Sequence, residues 1–339
     1  MRLFILLIIS ATLLFGEKTV KIATYNVQNL FDLDRSGYEY EEYIPYSHSR
    51  WNDKMYAIKR NHLSKVIKDI DADIIGLQEV ESLQALKDLR HTLKRKGLYY
   101  PYYKIANAKN TTVKVAILSK IPFVYAKEIF VTHSNEYRNI LEIKVMIENE
   151  PLYIFVNHWK SKSGPESRRI VSAKKLRERI RQLGRNNNII AIGDFNSDYE
   201  EYIRFARKRR HNDTKGLTGI NHILGSVNYQ IKSSKAKVQG FDLYNLWYDI
   251  NEPEKRYTYI YKGKKEALDH ILISAALLDK KGLDYKTDTI HPLEKQYLFR
   301  KSNIYRWQLT WRKPRRHLGK GYSDHLPLVA EFSIKDTNQ

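Results

Sequence analysis

The chain has 339 residues, of which 42% are hydrophobic and 29% charged, enough apolar material for one large core and too much for a globally disordered chain. Its 59 Lys and Arg outweigh 38 Asp and Glu to give a net charge of +21, which favours an acidic partner. Cysteine is absent, which excludes disulfides, zinc–thiolate sites, Fe–S clusters and cysteine nucleophiles and leaves carboxylate, amide and imidazole as possible metal ligands.

Met1 and Arg2 precede an apolar run over residues 3–15, and the polar chain begins at Gly16-Glu17. This pattern reads as a secretory signal peptide over residues 1–16, with an uncleaved anchor as the alternative, because the run is shorter than the roughly 20 residues that cross a bilayer. A secreted or periplasmic protein is expected, without a stable membrane span after cleavage. Without cysteine it cannot carry a lipoprotein anchor.

Alternation predicts a strand over 20–25, and helical spacing of apolar residues predicts a helix over 55–70. The apolar run 73–80 predicts a buried strand that ends in Glu79, and 82–96 a second helix. Further strands are expected over 113–118, 140–147, 152–158, 188–194, 267–274 and 326–333. A helix is expected over 168–183, where Ile170, Ala173, Leu176 and Ile180 form an apolar stripe. Two strand-rich halves flanked by helices imply a layered α/β sandwich in a single domain, residues 17–339. Residues 32–51 and a basic stretch around 280–320 read as insertions, and such loops commonly contact substrate.

Polar residues end apolar strands in at least five places: Asn26, Glu79, His158, Asp194 with Asn196, Asp269 with His270, and Asp324 with His325. Any one of them could be a turn or a solvated strand end. Together they suggest convergence on a metal and a proton-transfer site, because a buried carboxylate needs a cation or donors to offset its desolvation. His270 would face away from Asp269 by strand alternation, which makes it structural.

The blocks Thr24-Tyr25-Asn26-Val27-Gln28-Asn29, Ile75-Gly76-Leu77-Gln78-Glu79-Val80, Val156-Asn157-His158-Trp159-Lys160-Ser161, Ile192-Gly193-Asp194-Phe195-Asn196, Leu268-Asp269-His270-Ile271 and Ser323-Asp324-His325-Leu326-Pro327 stand in this order. Together they resemble the endonuclease/exonuclease/phosphatase family, the DNase I-like fold, across essentially the whole mature chain. The resemblance implies a four-layered α/β sandwich of two packed, mainly antiparallel sheets flanked by helices, with a phosphoesterase site at one sheet edge.

It further implies Glu79 as principal metal ligand with Asn26 beside it, and Asp324 completing the metal environment directly or through water. The expected ion is Mg²⁺ or Mn²⁺, with Ca²⁺ as a further candidate. His325, paired with Asp269, is similar to the family's general base, and His158 to the histidine that donates to the phosphate. Asp194 and Asn196 resemble the pair that orients the nucleophile or the leaving oxygen. Arg138 resembles a phosphate-side arginine, and Trp159 and Lys160 are expected to touch substrate. One departure stands out: near Lys114-Val115-Ala116-Ile117-Leu118 no acidic residue is found to partner His158.

The family motifs give the reaction class and leave the substrate open. Basic clusters at 204–210, 232–237 and 312–316, with Trp159, Trp307, Trp311 and many tyrosines, suit a nucleic-acid backbone, so an endonuclease acting on DNA is expected, as a monomer. The alternatives are a sphingomyelinase or another phospholipid or inositol-phosphate phosphodiesterase, and, in a different class, a non-catalytic polyanion-binding protein.

Overall fold

The computed structural model describes residues 18–205, 209–227 and 238–334. The signal-peptide expectation and the basic run 232–237 lie outside the described residues, and the cluster 204–210 does so in part.

Two sheets are packed face to face. The first runs β13 (Leu283–Tyr285), β17 (Leu328–Ile334), β1 (Lys18–Leu30), β2 (Ile74–Val80), β4 (Lys114–Ser119) and β3 (Tyr102–Ile105), with β14 (His291–Pro292) also on β17. The second runs β5 (Phe123–Ile129), β6 (Ile140–Ile147), β7 (Glu150–His158), β8 (Asn188–Asp194), β12 (Asp269–Ile273) and β9 (Tyr244–Asn245). Two hairpins stand apart, β10 (Tyr259–Tyr261) with β11 (Lys264–Glu266), and β15 (Phe299–Arg300) with β16 (Asn303–Ile304). Pairing is antiparallel except for β1 with β2 and β7 with β8. Each parallel pair is joined through a long helix, as a parallel crossover demands: α1 (Asp53–Ile70) and α3 (Glu166–Leu183).

Strand alternation builds the layers. In the first sheet Ile22, Ile74, Val115 and Ile117 face the second sheet, and meet Ile154, Val156, Ile190 and Ile192 from it. The opposite faces, Ala23, Tyr25, Ile75, Leu77 and Leu118, pack on α1 and on α2 (Leu83–Arg95). On the far side Phe155, Ile189 and Ala191 cover themselves with Ala173, Leu176 and Ile180 of α3. The result is the four-layered sandwich. Gly76 sets the spacing between the sheets, because a Cβ there would lie 2.7 Å from Ile192 Cδ1.

The helices start where the sequence caps them. Asn52 Oδ1 accepts from Met55 N at 3.2 Å ahead of α1, and Ser82 Oγ accepts from Ala85 N at 2.9 Å ahead of α2. Among the described residues no helix is long and apolar enough to cross a membrane.

The two stretches read as insertions pack on each other. His317 donates through its backbone N to Ser49 O at 2.8 Å, and its Nε2 lies 2.7 Å from Glu42 O. Trp307 Nε1 donates to His317 Nδ1 at 2.8 Å, and the Trp51 ring lies 4.7 Å from the imidazole. Trp51 and Trp307 are both buried, so of the tryptophans expected to stack on substrate Trp307 is removed, while Trp311 is 96% exposed.

Candidate active site

Every polar strand end named above lies at one edge of the sandwich, and the strand register puts it there. β1 and β2 run parallel with Asn26 opposite Gln78, so Glu79 follows at the same edge. β7 and β8 run parallel with His158 opposite Asp194, and Asp269, the first residue of antiparallel β12, also faces Asp194. Asp324 and His325 immediately precede β17, whose Leu328 pairs with Thr24. Gly193 keeps β7 and β8 in close register: its φ is +136° and a Cβ would fall 2.0 Å from Asn157 O.

Around this edge the backbone leaves regular geometry. Gln28, Asn29, Glu79 and Asn196 all have left-handed φ between 48° and 64°, and the β1–β2 register shifts between Asn26 and Leu30. Such conformations cost of order 1–3 kcal/mol each and cluster where side chains must be aimed. Here the turn points the Asn29 amide at Glu79 Oε2, 3.0 Å away.

Asn26 Nδ2 donates to Glu79 Oε1 at 3.2 Å and to Asp194 Oδ2 at 3.0 Å, tying the two sheets together across the site. Asp194 Oδ1 accepts from Asn196 N at 2.8 Å, and Asn196 Nδ2 donates to Trp159 O at 3.2 Å. Burial and the Asp324 charge raise the Glu79 carboxyl, and burial, with Asp269 adding to it, raises that of Asp194. Glu79, Asp194 and Asp324 therefore crowd negative charge into one corner.

Burial alone would strip His325 of its proton, yet Asp269, Asp194 and Asp324 overrule it and push the imidazole up to about 10. The largest of these contributions is direct: His325 Nδ1 meets Asp269 Oδ2 at 2.7 Å. That contact leaves Nε2 facing the cleft, 4.0 Å from Asp194 Oδ2. Ser323 Oγ, which accepts from His325 N at 3.2 Å, donates to Asn26 O at 2.6 Å and fixes the turn to β1.

His158 behaves oppositely. Burial holds its imidazole well below the usual range, with Arg138 and His325 adding repulsion. Its Nε2 lies 3.6 Å from Asp194 Oδ2 and 3.9 Å from Glu79 Oε1, whereas its buried Nδ1 has no hydrogen-bond partner. Among the described residues no carboxylate meets Nδ1, and the two nearby carboxylates face Nε2.

These groups form the floor of a cleft of about 710 Å³ whose walls include Tyr40, Arg138, Lys162, Tyr259 and Tyr261. Arg138 reaches the site, with Nη1 3.4 Å from Trp159 O. Two expected substrate contacts need correction. The Trp159 ring is buried, edge-on to Phe195 at 4.7 Å with Nε1 donating to Asn157 Oδ1 at 3.2 Å, so it is a core residue. Lys160 does not line the cleft and donates to Glu136 O at 3.1 Å; Lys162, two residues on, lines it instead.

His270 is structural as expected: its Nε2 lies 2.8 Å from Ser197 O and its Nδ1 3.0 Å from Asn245 Nδ2, a single neutral tautomer that burial pushes down to about 4. Sequence reasoning missed Arg306, whose Nη2 meets Asp324 Oδ2 at 2.5 Å. Nothing local marks it among 59 cations. Tyr259 was missed too, although its alternation with Tyr261 just ahead of the Asp269 block was a readable strand signal.

Two donor sets could hold a cation. Asp194, Asp269 and His325 offer ligand atoms within 4.8 Å of one another. Glu79, Asp324 and Asn26 offer oxygen ligands alone. The 2.7 Å contact ties His325 Nδ1 to Asp269, whereas Glu79, Asp324 and Asn26 present oxygen donors alone, which fit a hard divalent ion better.

A sequence model described as the Endonuclease/Exonuclease/phosphatase family matches residues 21–333. No curated protein matches the chain. Among solved structures, D. rerio TDP2 complexed with a single-strand DNA product has a TM-score of 0.56 at 14% identity, covering 93% of this chain and 98% of that one. A family protein from Bacteroides thetaiotaomicron has a TM-score of 0.55 at 14% identity, covering 95% and 100%. A mannosyl-6-phosphatase of the same organism has a TM-score of 0.51 at 16% identity, covering 92% and 99%. At these identities the structural likeness speaks to the fold.

Proposed function

The chain belongs to the endonuclease/exonuclease/phosphatase family, and on that premise we propose that it is a divalent-metal-dependent phosphodiesterase that hydrolyses nucleic acid, DNA foremost. The observation that carries this reading is the pairing of an acid–base floor with a cationic, aromatic rim in one cleft: His325–Asp269 and the carboxylate corner below, Arg138, Lys162, Tyr261, Lys262 and Lys264 above.

In this reading Glu79, Asp324 and Asn26 would hold Mg²⁺ or Mn²⁺, which would supply Lewis acidity and offset the carboxylate charge. Asp269 fixes the His325 tautomer through Nδ1, so that Nε2 is the atom that exchanges a proton with the attacking water. Asp269, Asp194 and Asp324 all favour the protonated imidazole, and a cation held at Glu79 and Asp324 would offset the Asp324 part of that hold and bring His325 nearer the range of a base. Neutral His158 donates a hydrogen bond to a non-bridging oxygen, and Asn196 with Asp194 orients the reacting oxygens. Arg138 adds positive charge on the His158 side.

The structural neighbours above include a mannosyl-6-phosphatase and a TDP2 solved with a single-strand DNA product, so both a phosphatase and a nucleic-acid reading have a counterpart on this fold. The basic rim and the net charge of +21 favour the polyanion. Secretion or periplasmic residence is proposed from the apolar run at residues 3–15 alone. The lipid reading keeps one specific support, the fully exposed Trp311 beside Arg312 and Lys313, a pattern suited to an anionic bilayer. Incubating the protein with plasmid DNA, with sphingomyelin or phosphatidylinositol vesicles, and with mannose 6-phosphate, each in Mg²⁺, separates these readings. DNA nicking alone is the expected result, and headgroup or phosphate release with intact plasmid would overturn it.

A further inference from the structure

The hairpin β10–β11 projects from the cleft wall directly ahead of the Asp269 strand. Its base is fixed. Tyr259 forms a bridge with His325 and their rings lie 4.9 Å apart; Leu326 N donates to Thr258 O at 2.8 Å. Glu266 pairs with Lys162 at 3.2 Å, and Lys162 with Glu201 at 2.9 Å. Lys265 is also committed, with Nζ 3.0 Å from Glu254 O and 4.1 Å from the centre of the Tyr257 ring.

Its tip is different. Tyr261 is 53% exposed, and Lys262 and Lys264 have no acidic partner among the described residues. Tyr261 pairs with Lys264 across a two-residue turn in which Lys262 has φ +48° and Gly263 φ +77°. Such turns favour Asn, Asp or Gly at the first central position, so a lysine there bears a backbone cost; its Nζ lies 5.5 Å from the centre of the adjacent Tyr261 ring. Below the tip the floor is recessed: His158 and His325 are each 6% exposed and Asp194 2%. A phosphate that reaches them must descend past the hairpin, and its neighbouring nucleotide then lies along Tyr261.

Resting on the nucleic-acid reading above, we infer that this hairpin is a nucleotide subsite. Tyr261 stacks on an unpaired base next to the scissile phosphate, Lys262 and Lys264 take the adjoining backbone phosphates, and single strands are therefore preferred to duplex. The ring face can be shared only with a base that has left its own stack, and a tyrosine platform flanked by lysines is the sequence-tolerant way to hold one.

The test is fluorescence anisotropy of the full chain in EDTA with a labelled 20-nucleotide single strand and the corresponding blunt duplex, over a salt series. The single strand should bind more tightly. Tyr261→Ala should weaken it about tenfold and Tyr261→Phe restore it, since stacking needs the ring and not the hydroxyl. Lys262→Ala with Lys264→Ala should reduce the slope of log affinity against log salt by about 1.4, two single-strand phosphate contacts. The charge-matched Lys281→Ala with Lys286→Ala, around β13 at the opposite end of the strands, should not. Equal duplex binding, or a silent Tyr261→Ala in a protein that binds the single strand, overturns the subsite alone. If the wild type binds neither oligonucleotide yet hydrolyses bis(p-nitrophenyl) phosphate in Mg²⁺, the nucleic-acid reading fails and the subsite with it.

Discussion

The His325 side and the His158 side of the cleft floor start from the same materials. Each imidazole sits at the active edge of a sheet, beside the same Asp194, and each is 6% exposed. Yet His325 is driven up to about 10 while His158 is held well below its usual value. Burial opposes charge in both, so burial is not what separates them. The difference is the second nitrogen: His325 Nδ1 finds Asp269 at 2.7 Å, and His158 Nδ1 has no hydrogen-bond partner among the described residues. An imidazole with a carboxylate behind it can take and return a proton, whereas one without it is a neutral hydrogen-bond donor.

That contrast can be broken by substitution. His325→Ala should lower kcat on DNA by about 10²–10⁴-fold, the usual worth of a general acid–base group, and His325→Gln should recover none of it because an amide cannot cycle a proton. Single-turnover cleavage assays read both. His158→Ala should cost less, about 10²-fold, and His158→Gln should return a substantial part of the loss, since an amide N–H can still donate to a phosphoryl oxygen. If glutamine rescues the two sites equally, the division of roles is wrong.

A third buried imidazole sharpens the same rule away from the chemistry. His317 accepts from Trp307 Nε1 and faces Glu42 O, an arrangement that demands the neutral ring, and burial pushes it down to about 4. The unfolded chain protonates near pH 6.5 and the folded one does not. Stability from this group is therefore full above pH 6.5 and falls as pH drops toward 4, by an amount on the order of 1–3 kcal/mol. Thermal melts from pH 7 to pH 4.5 should show a shallower decline in His317→Asn than in the wild type.

How much of this was legible in the sequence follows from where each feature gets its information. Asn26, Glu79, His158, Asp194 and Asp269 each stand at or beside the end of an apolar run, and β-sheet register alone carries such ends to a common edge. The layers were equally readable from alternation. Trp159 was misread because its position after His158 says nothing of direction; its N–H finds Asn157 inside the core. The packing of the insertions through His317 joins residues far apart in the chain, and the capture of Asp324 by Arg306 crosses an irregular loop, so no local pattern announces either. Strands β3 and β5 were missed because their partly exposed residues lack a clean apolar run.

The central claim is that this edge is a metal-dependent hydrolytic site for nucleic acid, and single-turnover cleavage of end-labelled DNA by the wild type and by Glu79→Ala, in Mg²⁺ and in EDTA, tests it most directly. Cleavage by the wild type in Mg²⁺ only, with loss of orders of magnitude in Glu79→Ala, is the predicted result. Cleavage that persists in EDTA, or that Glu79→Ala leaves intact, would contradict it.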